Sequence, residues 1–287
     1  MMIYPKQHQD TAAVAAHYND LDRFYRDVWG DHVHHGLWTN ANESPEAAVK
    51  QLVRFVAREA GIEPGDRVCD VGCGYGGTAR LLVDEYDAKV TGLTVSDAQF
   101  EYAVAQTPEQ EYPQFLLRNW EQNELPADSF DALVSIECLA HVNDKQRYFD
   151  EIHRVLRPGR SAAIAAWLSA EKPTSWQVHH LLEPICREGR LPSMGSVSEY
   201  EALIERAGLT AEKYTPLTSR VRKTWIICAR RVALGIVTRS DYRRYLMERP
   251  TPNWIFFVTL GRILVALYRN IMQYGVFVLR KPEASGR

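Results

Sequence analysis

Hydrophobic and polar positions recur along this chain with two periods. Between residues 11 and 29, Val14, Tyr18, Leu21, Phe24, Tyr25 and Val28 fall on one stripe, which predicts a single helix ended by Gly30. Ser44-Pro45-Glu46 reads as a helix start, with Ser as N-cap and Pro in the first turn, and that helix runs to about Ala60 before Gly61. Short apolar runs predict buried strands at 67–71, 89–93, near 112–118, at 130–136 and at 161–168. Helices are expected between them, from Thr78 to Glu85, from Ser96 to about Ala105, and from Lys145 to Leu156 ahead of an Arg157-Pro158-Gly159 turn. Strands alternating with helices in this way imply a doubly wound, mostly parallel sheet with its ligand at the strands' C-terminal edge. Beyond Leu168 the rhythm changes. Residues 169–195 read as an irregular insertion and 198–207 as a helix closed by Gly208. A sixth strand falls within 209–218, residues 219–272 read as largely helical, and a last strand falls at 274–279. The expected organisation is N-terminal helices forming part of a cap (1–60), a ligand-binding core (61–168), and a C-terminal part that completes the sheet and carries helical lid insertions (169–287).

The strand at 67–71 runs into Gly72, Gly74, Gly76 and Gly77, so the backbone turns sharply and a ligand can approach it without meeting a Cβ. The next helix offers free N–H groups at its start. Gly72, Gly74 and Gly77 also fit dinucleotide spacing, but that match is weak by itself. Asp70, two residues before the first glycine, favours a different ligand. A carboxylate there would repel a pyrophosphate and attract a cationic one, which selects S-adenosylmethionine with its ammonium and sulfonium. The acidic-x-Gly-x-Gly-x-Gly pattern resembles the first motif of the class I methyltransferases. That resemblance implies a Rossmann-like α/β fold with seven strands, in which Asp70, Gly72, Cys73 and Gly74 lie nearest the methionine part of the cofactor.

Composition narrows the picture. The chain has 287 residues, 46% of them hydrophobic, and a net charge of −2 with no basic block, so no nucleic-acid partner is expected. Five scattered cysteines without a C-x-x-C pair point to free thiols in a reducing compartment. The opening MMIYPKQHQD has no basic and apolar leader pattern, so a cytoplasmic protein is expected. The apolar run from Trp254 to Tyr268 is interrupted by Arg262 and is too short to span a bilayer. It reads as a buried lid helix, with contact to a membrane surface or a lipid substrate as the other reading.

The end of the second strand, Leu93-Thr94-Val95-Ser96, lacks the acid that usually meets a ribose diol. GLTVSDAQ (92–99) instead resembles the matching segment of the cyclopropane-fatty-acid synthases and tocopherol methyltransferases. The resemblance implies that Thr94, Val95 and Gln99 hold the ribose, with Ile136 ending the fourth strand at the same site. Asn119-Trp120-Glu121-Gln122 is similar to the segment lying along the adenine, which implies that Trp120 stacks there, with core packing as the other reading of that residue. His17 to Trp38, Ser135 to His141 and Met272 to Pro282 resemble the γ-tocopherol methyltransferase family, so the likeness spans most of the chain. In these families a glutamate often precedes the histidine at 141, and in the cyclopropane synthases it helps hold a bicarbonate base. Ala140 stands there in this chain, which counts against cyclopropanation.

Methyl transfer from a sulfonium asks a protein mainly to align the partners, exclude water and remove a proton where the nucleophile carries one. His141 is the first candidate base, with hydrogen bonding to cofactor or backbone as its alternative role; Glu137 is a second candidate. Tyr18 would face the sulfonium or pack in a helix interface. His32, His34 and His35 have no carboxylate or Cys set to complete a metal site, so they are read as lining the site, chiefly through His35. The expected function is methylation of a small-molecule or lipid-like acceptor. Cyclopropane-type lipid modification and non-catalytic cofactor binding are its rivals, and oligomeric state is not legible.

Overall fold

The computed structural model describes residues 2–7, 9–40, 42–239 and 254–283. Seven strands form one sheet in the order β3-β2-β1-β4-β5-β7-β6: β1 (Arg67–Val71), β2 (Lys89–Thr94), β3 (Gln114–Leu117), β4 (Phe130–Ile136), β5 (Leu156–Ser169), β6 (Thr210–Pro216) and β7 (Met272–Arg280). β7 runs antiparallel to both neighbours, and the remaining pairs are parallel. The doubly wound, mostly parallel sheet read from the sequence is therefore present. Strand order reverses between β1 and β4, which opens a crevice at their C-terminal ends.

The sheet buries both faces. On one, Cys69, Val71 and Leu133 pack with Tyr148, Phe149 and Ile152 of α6 (Lys145–Val155). On the other, Val68, Val90 and Val134 pack with Leu52 and Val56 of α3 (Pro45–Glu59) and Leu82 of α4 (Gly77–Tyr86). Cys69 and Val68 go to opposite faces because side chains alternate along a strand. Each fully buried Leu or Ile contributes about 1.5–3 kcal/mol. Local signals set the helix starts. Ser44 Oγ accepts from Ala47 N–H, Ser96 Oγ caps α5 (Asp97–Ala105) through Gln99 N–H, and Asp144 caps α6 through Arg147 N–H.

Four departures from the sequence reading have physical causes. The helix expected over 11–29 is two, α1 (Thr11–Asp20) and α2 (Asp22–Trp29), broken at Leu21, where ψ turns to 7°. Val14, Tyr18, Leu21 and Tyr25 of the expected stripe line a cavity; the side chains of Phe24 and Val28 lie outside the described set. The Arg157-Pro158-Gly159 turn lies inside β5 as an irregularity against β4, because Gly159 N–H finds Lys281 O at 2.9 Å. The insertion at 169–195 is partly helical, with α7 (Ser175–Gln177), a π-helical turn (Val178–Leu182) and α8 (Glu183–Glu188). Pro184 has no N–H to give the fourth carbonyl back, and the helix widens just before it so that Glu183 N–H reaches Val178 O. Finally, the helix expected over 198–207 starts one residue earlier, as α9 (Val197–Arg206), because Ser196 caps it in a capping box with Glu199.

Of the helical stretch expected over 219–272, residues 240–253 lie outside the described set. The rest forms α10 (Thr218–Val221), α11 (Lys223–Thr238) and α12 (Trp254–Tyr268). Among the described residues no helix is long and apolar enough to cross a membrane.

Candidate active site

The site is built on the turn after β1. The N–H groups of Gly72 and Cys73 both donate to Leu93 O, at 2.9 and 2.8 Å, tying the turn to the end of β2. Gly72 has φ +78°, and a Cβ there would sit 2.5 Å from Cys138 Cβ. Gly74 also has positive φ, but its Cβ would meet nothing within 4 Å. Asp70 lies beneath the turn, 2% exposed, with Oδ2 unpartnered. Burial pushes its carboxyl up to about 7. A buried carboxylate with an idle oxygen, next to an open glycine turn, suits a ligand that brings its own positive charge.

A cavity of about 640 Å³ opens from this turn. Gly72, Gly74, Thr94, Val95 and Gln99 line one end, with Trp120 and Ile136 beside them. Thr94 Oγ1 donates to Gln99 Oε1 at 2.8 Å, and Ser96 Oγ donates to Asn19 Oδ1 at 2.6 Å, which holds α1 against this edge. Trp120 is 3% exposed; its ring packs in the core and its Nε1–H donates to Tyr148 O at 3.1 Å while the residue still reaches the cavity wall. Asp70, Cys73, Asn119 and Glu121 do not line the cavity. Asn119 Oδ1 caps the short turn at 120–122, and Glu121 accepts from Asp144 N–H at 2.8 Å. The Cys73 thiol is buried, which raises its pKa well above the ordinary range.

The three sequence candidates for catalysis, His35, Glu137 and His141, come together on the cavity wall with Tyr18. His141 Nδ1 lies 3.4 Å from Arg190 O and Nε2 lies 3.1 Å from Tyr18 OH. With the proton on Nδ1, the Nε2 lone pair accepts from Tyr18. Burial, then the nearby Lys145 charge, lowers the His141 ring to about 4, so it is neutral. Lys145 is itself 4% exposed and donates to the carbonyls of Leu139, Ala140 and Val142 at 2.7, 3.2 and 2.6 Å, fixing the turn that carries His141.

Glu137 follows β4 with φ +63° and collects four donors. Its Oε1 accepts from His35 N–H and His35 Nδ1–H at 2.8 Å each and from Tyr274 OH at 2.9 Å, while Oε2 accepts from Trp167 Nε1–H at 3.0 Å. Burial alone would raise this carboxyl; His35 and His34 outweigh it and hold it at about 2. Trp167 and Tyr274 are register partners across β5 and β7, so antiparallel pairing delivers both donors to one carboxylate. The His35 ring is enclosed by Tyr274, Trp167 and Trp225, with centroids 4.9, 5.3 and 5.7 Å away.

His32 and His34 turn away from this wall. His32 Nδ1 lies 3.2 Å from His34 Nε2, and His34 Nδ1 donates to His35 O at 2.9 Å. Among the described residues, no three His, Cys, Asp or Glu side chains gather to hold a metal.

Trp29, Trp167, Trp225 and Arg190 also line the cavity, and the sequence reading did not single them out. The only signal for Trp225 was the abundance of Arg, Tyr and Trp after residue 218. On the lid side, Glu188 accepts from Arg262 Nη1 at 2.8 and 2.9 Å and from Thr259 Oγ1, linking α12 to α8.

The family model described as "Mycolic acid cyclopropane synthetase" matches residues 5–232. Among curated relatives, the 27-O-demethylrifamycin SV methyltransferase of Amycolatopsis mediterranei (strain S699) is 28% identical over 260 residues, covering 89% of this chain and 92% of its own. The chloroplastic tocopherol O-methyltransferase of Arabidopsis thaliana is 25% identical over 293 residues, covering 94% of this chain and 82% of its own. Among solved structures, mycolic acid cyclopropane synthase CmaA1 complexed with SAH and CTAB superposes with a TM-score of 0.80 at 21% identity, covering 96% of this chain and all (100%) of that one, a likeness of fold. With most of its length matched by one family model, the chain belongs to the mycolic acid cyclopropane synthetase family of S-adenosylmethionine-dependent methyltransferases.

Proposed function

We propose that the protein transfers a methyl group to a nucleophile on a bulky, mostly apolar small-molecule or lipid-like acceptor. The observation that carries this reading is one continuous cavity of about 640 Å³ that runs from the glycine turn to an aromatic wall made by α2, β5 and α11. S-adenosylmethionine, when bound, supplies a methyl group already activated on a sulfonium. The turn at Gly72 and Gly74 would hold its amino-acid end next to the buried Asp70 carboxyl, which lies behind the cavity wall, with Thr94, Val95 and Gln99 at the ribose and Trp120 near the base. The idle Asp70 Oδ2 and the open space at Gly74 support that fit.

The chain's own work is then alignment and exclusion of water. Tyr18 and His141 hydrogen-bond across the cavity, joining α1 to the β4 edge. Trp29, Trp225 and Leu260 supply an apolar surface that can bury most of an acceptor. The names of two relatives, acting on a demethylrifamycin and on tocopherol, are consistent with a large apolar acceptor.

Cyclopropane-type lipid modification is the second reading, favoured by the family match. Against it stands Ala140, which lines the cavity where the resemblance would put a carboxylate. Calorimetry with S-adenosylhomocysteine tests the cofactor, and incubation with methyl-labelled donor tests the acceptor. Label on hydroxylated or amine-bearing small molecules supports the proposal. Label only in unsaturated acyl chains overturns it in favour of the second reading, and binding without any label transfer would make the protein a non-catalytic binder.

A further inference from the structure

Two polar atoms of opposite sense stand unpartnered on the aromatic wall. His35 gives its Nδ1–H to Glu137 at 2.8 Å, so in the neutral ring Nε2 carries the lone pair, and Nε2 is buried with no hydrogen-bond partner. Trp225 Nε1 is a donor only, and it too is buried and unpartnered. The two rings pack edge to face with centroids 5.7 Å apart, and both residues line the cavity. An unsatisfied buried polar atom costs about 1–3 kcal/mol. Two of them, an acceptor and a donor on neighbouring rings that line the cavity, mark a place for a group that both donates and accepts.

A hydroxyl is such a group. Its hydrogen would go to His35 Nε2 while its oxygen accepts from Trp225 Nε1–H. A neutral amine also donates and accepts, but it has a single lone pair, which Trp225 N–H would occupy and withhold from attack, whereas a hydroxyl oxygen keeps a second; an ammonium offers donors only, and a carbon nucleophile offers neither partner. We propose that His35 Nε2 and Trp225 Nε1–H together bind the acceptor's hydroxyl, that His35 takes its proton, and that Glu137 is the positioning residue for His35. The inference rests on the methyltransferase reading and names the group that is methylated.

The step balances. The hydroxyl O–H bond breaks and its proton goes to Nε2. The freed oxygen pair forms the bond to the methyl carbon, and the old carbon–sulfur pair stays on sulfur as a neutral thioether. The imidazolium rests against Glu137, and Trp225 N–H holds the developing oxyanion until the bond forms. The proton leaves to solvent after the product does. Glu137 can do this because Tyr274 OH and Trp167 Nε1–H, at 2.9 and 3.0 Å, fix it from the far side. His141 is not equivalent: its Nε2 already accepts from Tyr18 OH at 3.1 Å.

The test uses the full chain, S-adenosylmethionine and two phenol probes, 2-naphthol and 4-nitrophenol, near neutral pH. The second probe titrates near neutral pH, so a large share of it is already ionised there and that share needs no base. His35→Asn should lower kcat on 2-naphthol about 100-fold or more, and on 4-nitrophenol by less than about fivefold. Trp225→Phe, which keeps the shape but removes the donor, should lower kcat/KM about tenfold on both probes. Glu137→Gln should lower kcat on 2-naphthol and leave its KM nearly unchanged. Variants are compared only where S-adenosylhomocysteine affinity and melting match the wild type. A readout independent of turnover is ¹⁵N NMR of histidine-labelled protein, which should show His35 protonated at Nδ1 and bare at Nε2. Equal losses on both probes in His35→Asn, a wild type that binds S-adenosylhomocysteine but methylates neither probe, or the opposite His35 tautomer overturns the proposal. Failure to bind S-adenosylhomocysteine at all would instead strike the methyltransferase reading beneath it.

Discussion

Gly72 and Gly74 sit two residues apart in one turn, both at positive φ, yet the structure predicts opposite consequences for the same substitution. Gly72→Ala puts a methyl group in the left-handed region, at about 1–2 kcal/mol. It also places that methyl 2.5 Å from Cys138 Cβ and 2.6 Å from Sγ, closer than packed atoms come. Relieving such an overlap in a packed region costs about 1–3 kcal/mol more. The expected loss is about 2–5 kcal/mol, or roughly 4–10 °C in Tm for a chain of this size. Gly74→Ala bears only the backbone term, about 1 kcal/mol and roughly 2 °C, because its methyl meets nothing within 4 Å. That methyl projects into space the cofactor would use, so the expected cost there is at least about tenfold in S-adenosylhomocysteine affinity, or about 1.4 kcal/mol. Thermal melts and calorimetry read the two effects separately. Adding Cys138→Gly to Gly72→Ala removes the overlapping atoms and should recover about half of the lost stability. Equal melting losses in the two single variants, or no recovery in the double, would refute the steric argument. Unchanged affinity in Gly74→Ala would remove the cofactor from this turn.

Other predictions concern charge. Asp70 has its folded-state carboxyl raised from 3.8 to about 7, so the folded chain holds a proton that the unfolded chain releases, and that stability is lost as pH rises through 7. Asp70→Asn should therefore stabilise the ligand-free protein at pH 8 by up to about 4 kcal/mol while weakening cofactor binding; a variant less stable than wild type at that pH would contradict the burial argument. In the wild type, S-adenosylhomocysteine should bind less tightly as pH falls below about 7, and Asp70→Asn should flatten that dependence in calorimetric titrations. Tyr18→Phe and His141→Ala should show a coupling of about 1 kcal/mol in a double-mutant cycle read by cofactor affinity, and strict additivity would mean that their 3.1 Å contact does no work. Glu151, 2% exposed on its side chain, holds Arg154 and Asn123 at 2.5 and 2.8 Å under the 119–123 segment. Glu151→Ala should cost about 1–3 kcal/mol in urea unfolding, because Asn123 loses a buried partner while Arg154 can still reach solvent, and a loss under about 0.5 kcal/mol would show that this carboxylate does not support that segment.

Much of this protein is written in short stretches of its sequence. β4 occupies the residues its apolar run marks out, Ser44 and Ser96 cap the helices they precede, and Asp70 with four glycines names a cationic ligand before any strand is paired. These features rest on interactions within a few residues, so local pattern is enough to reveal them. The break at Leu21 was hidden because Val14, Tyr18 and Tyr25 keep a helical spacing while facing a cavity instead of a core, and periodicity cannot tell the two apart. The acceptor wall was the least legible part. His35, Glu137, Trp167, Trp225 and Tyr274 come from five separate places in the chain, and nothing near any of them announces the others. They meet because β5 lies between β4 and β7, and because antiparallel register sets Trp167 opposite Tyr274 beside the end of β4. Strand order and register belong to the whole folded sheet, so only the tertiary structure could decide which distant side chains share one buried carboxylate.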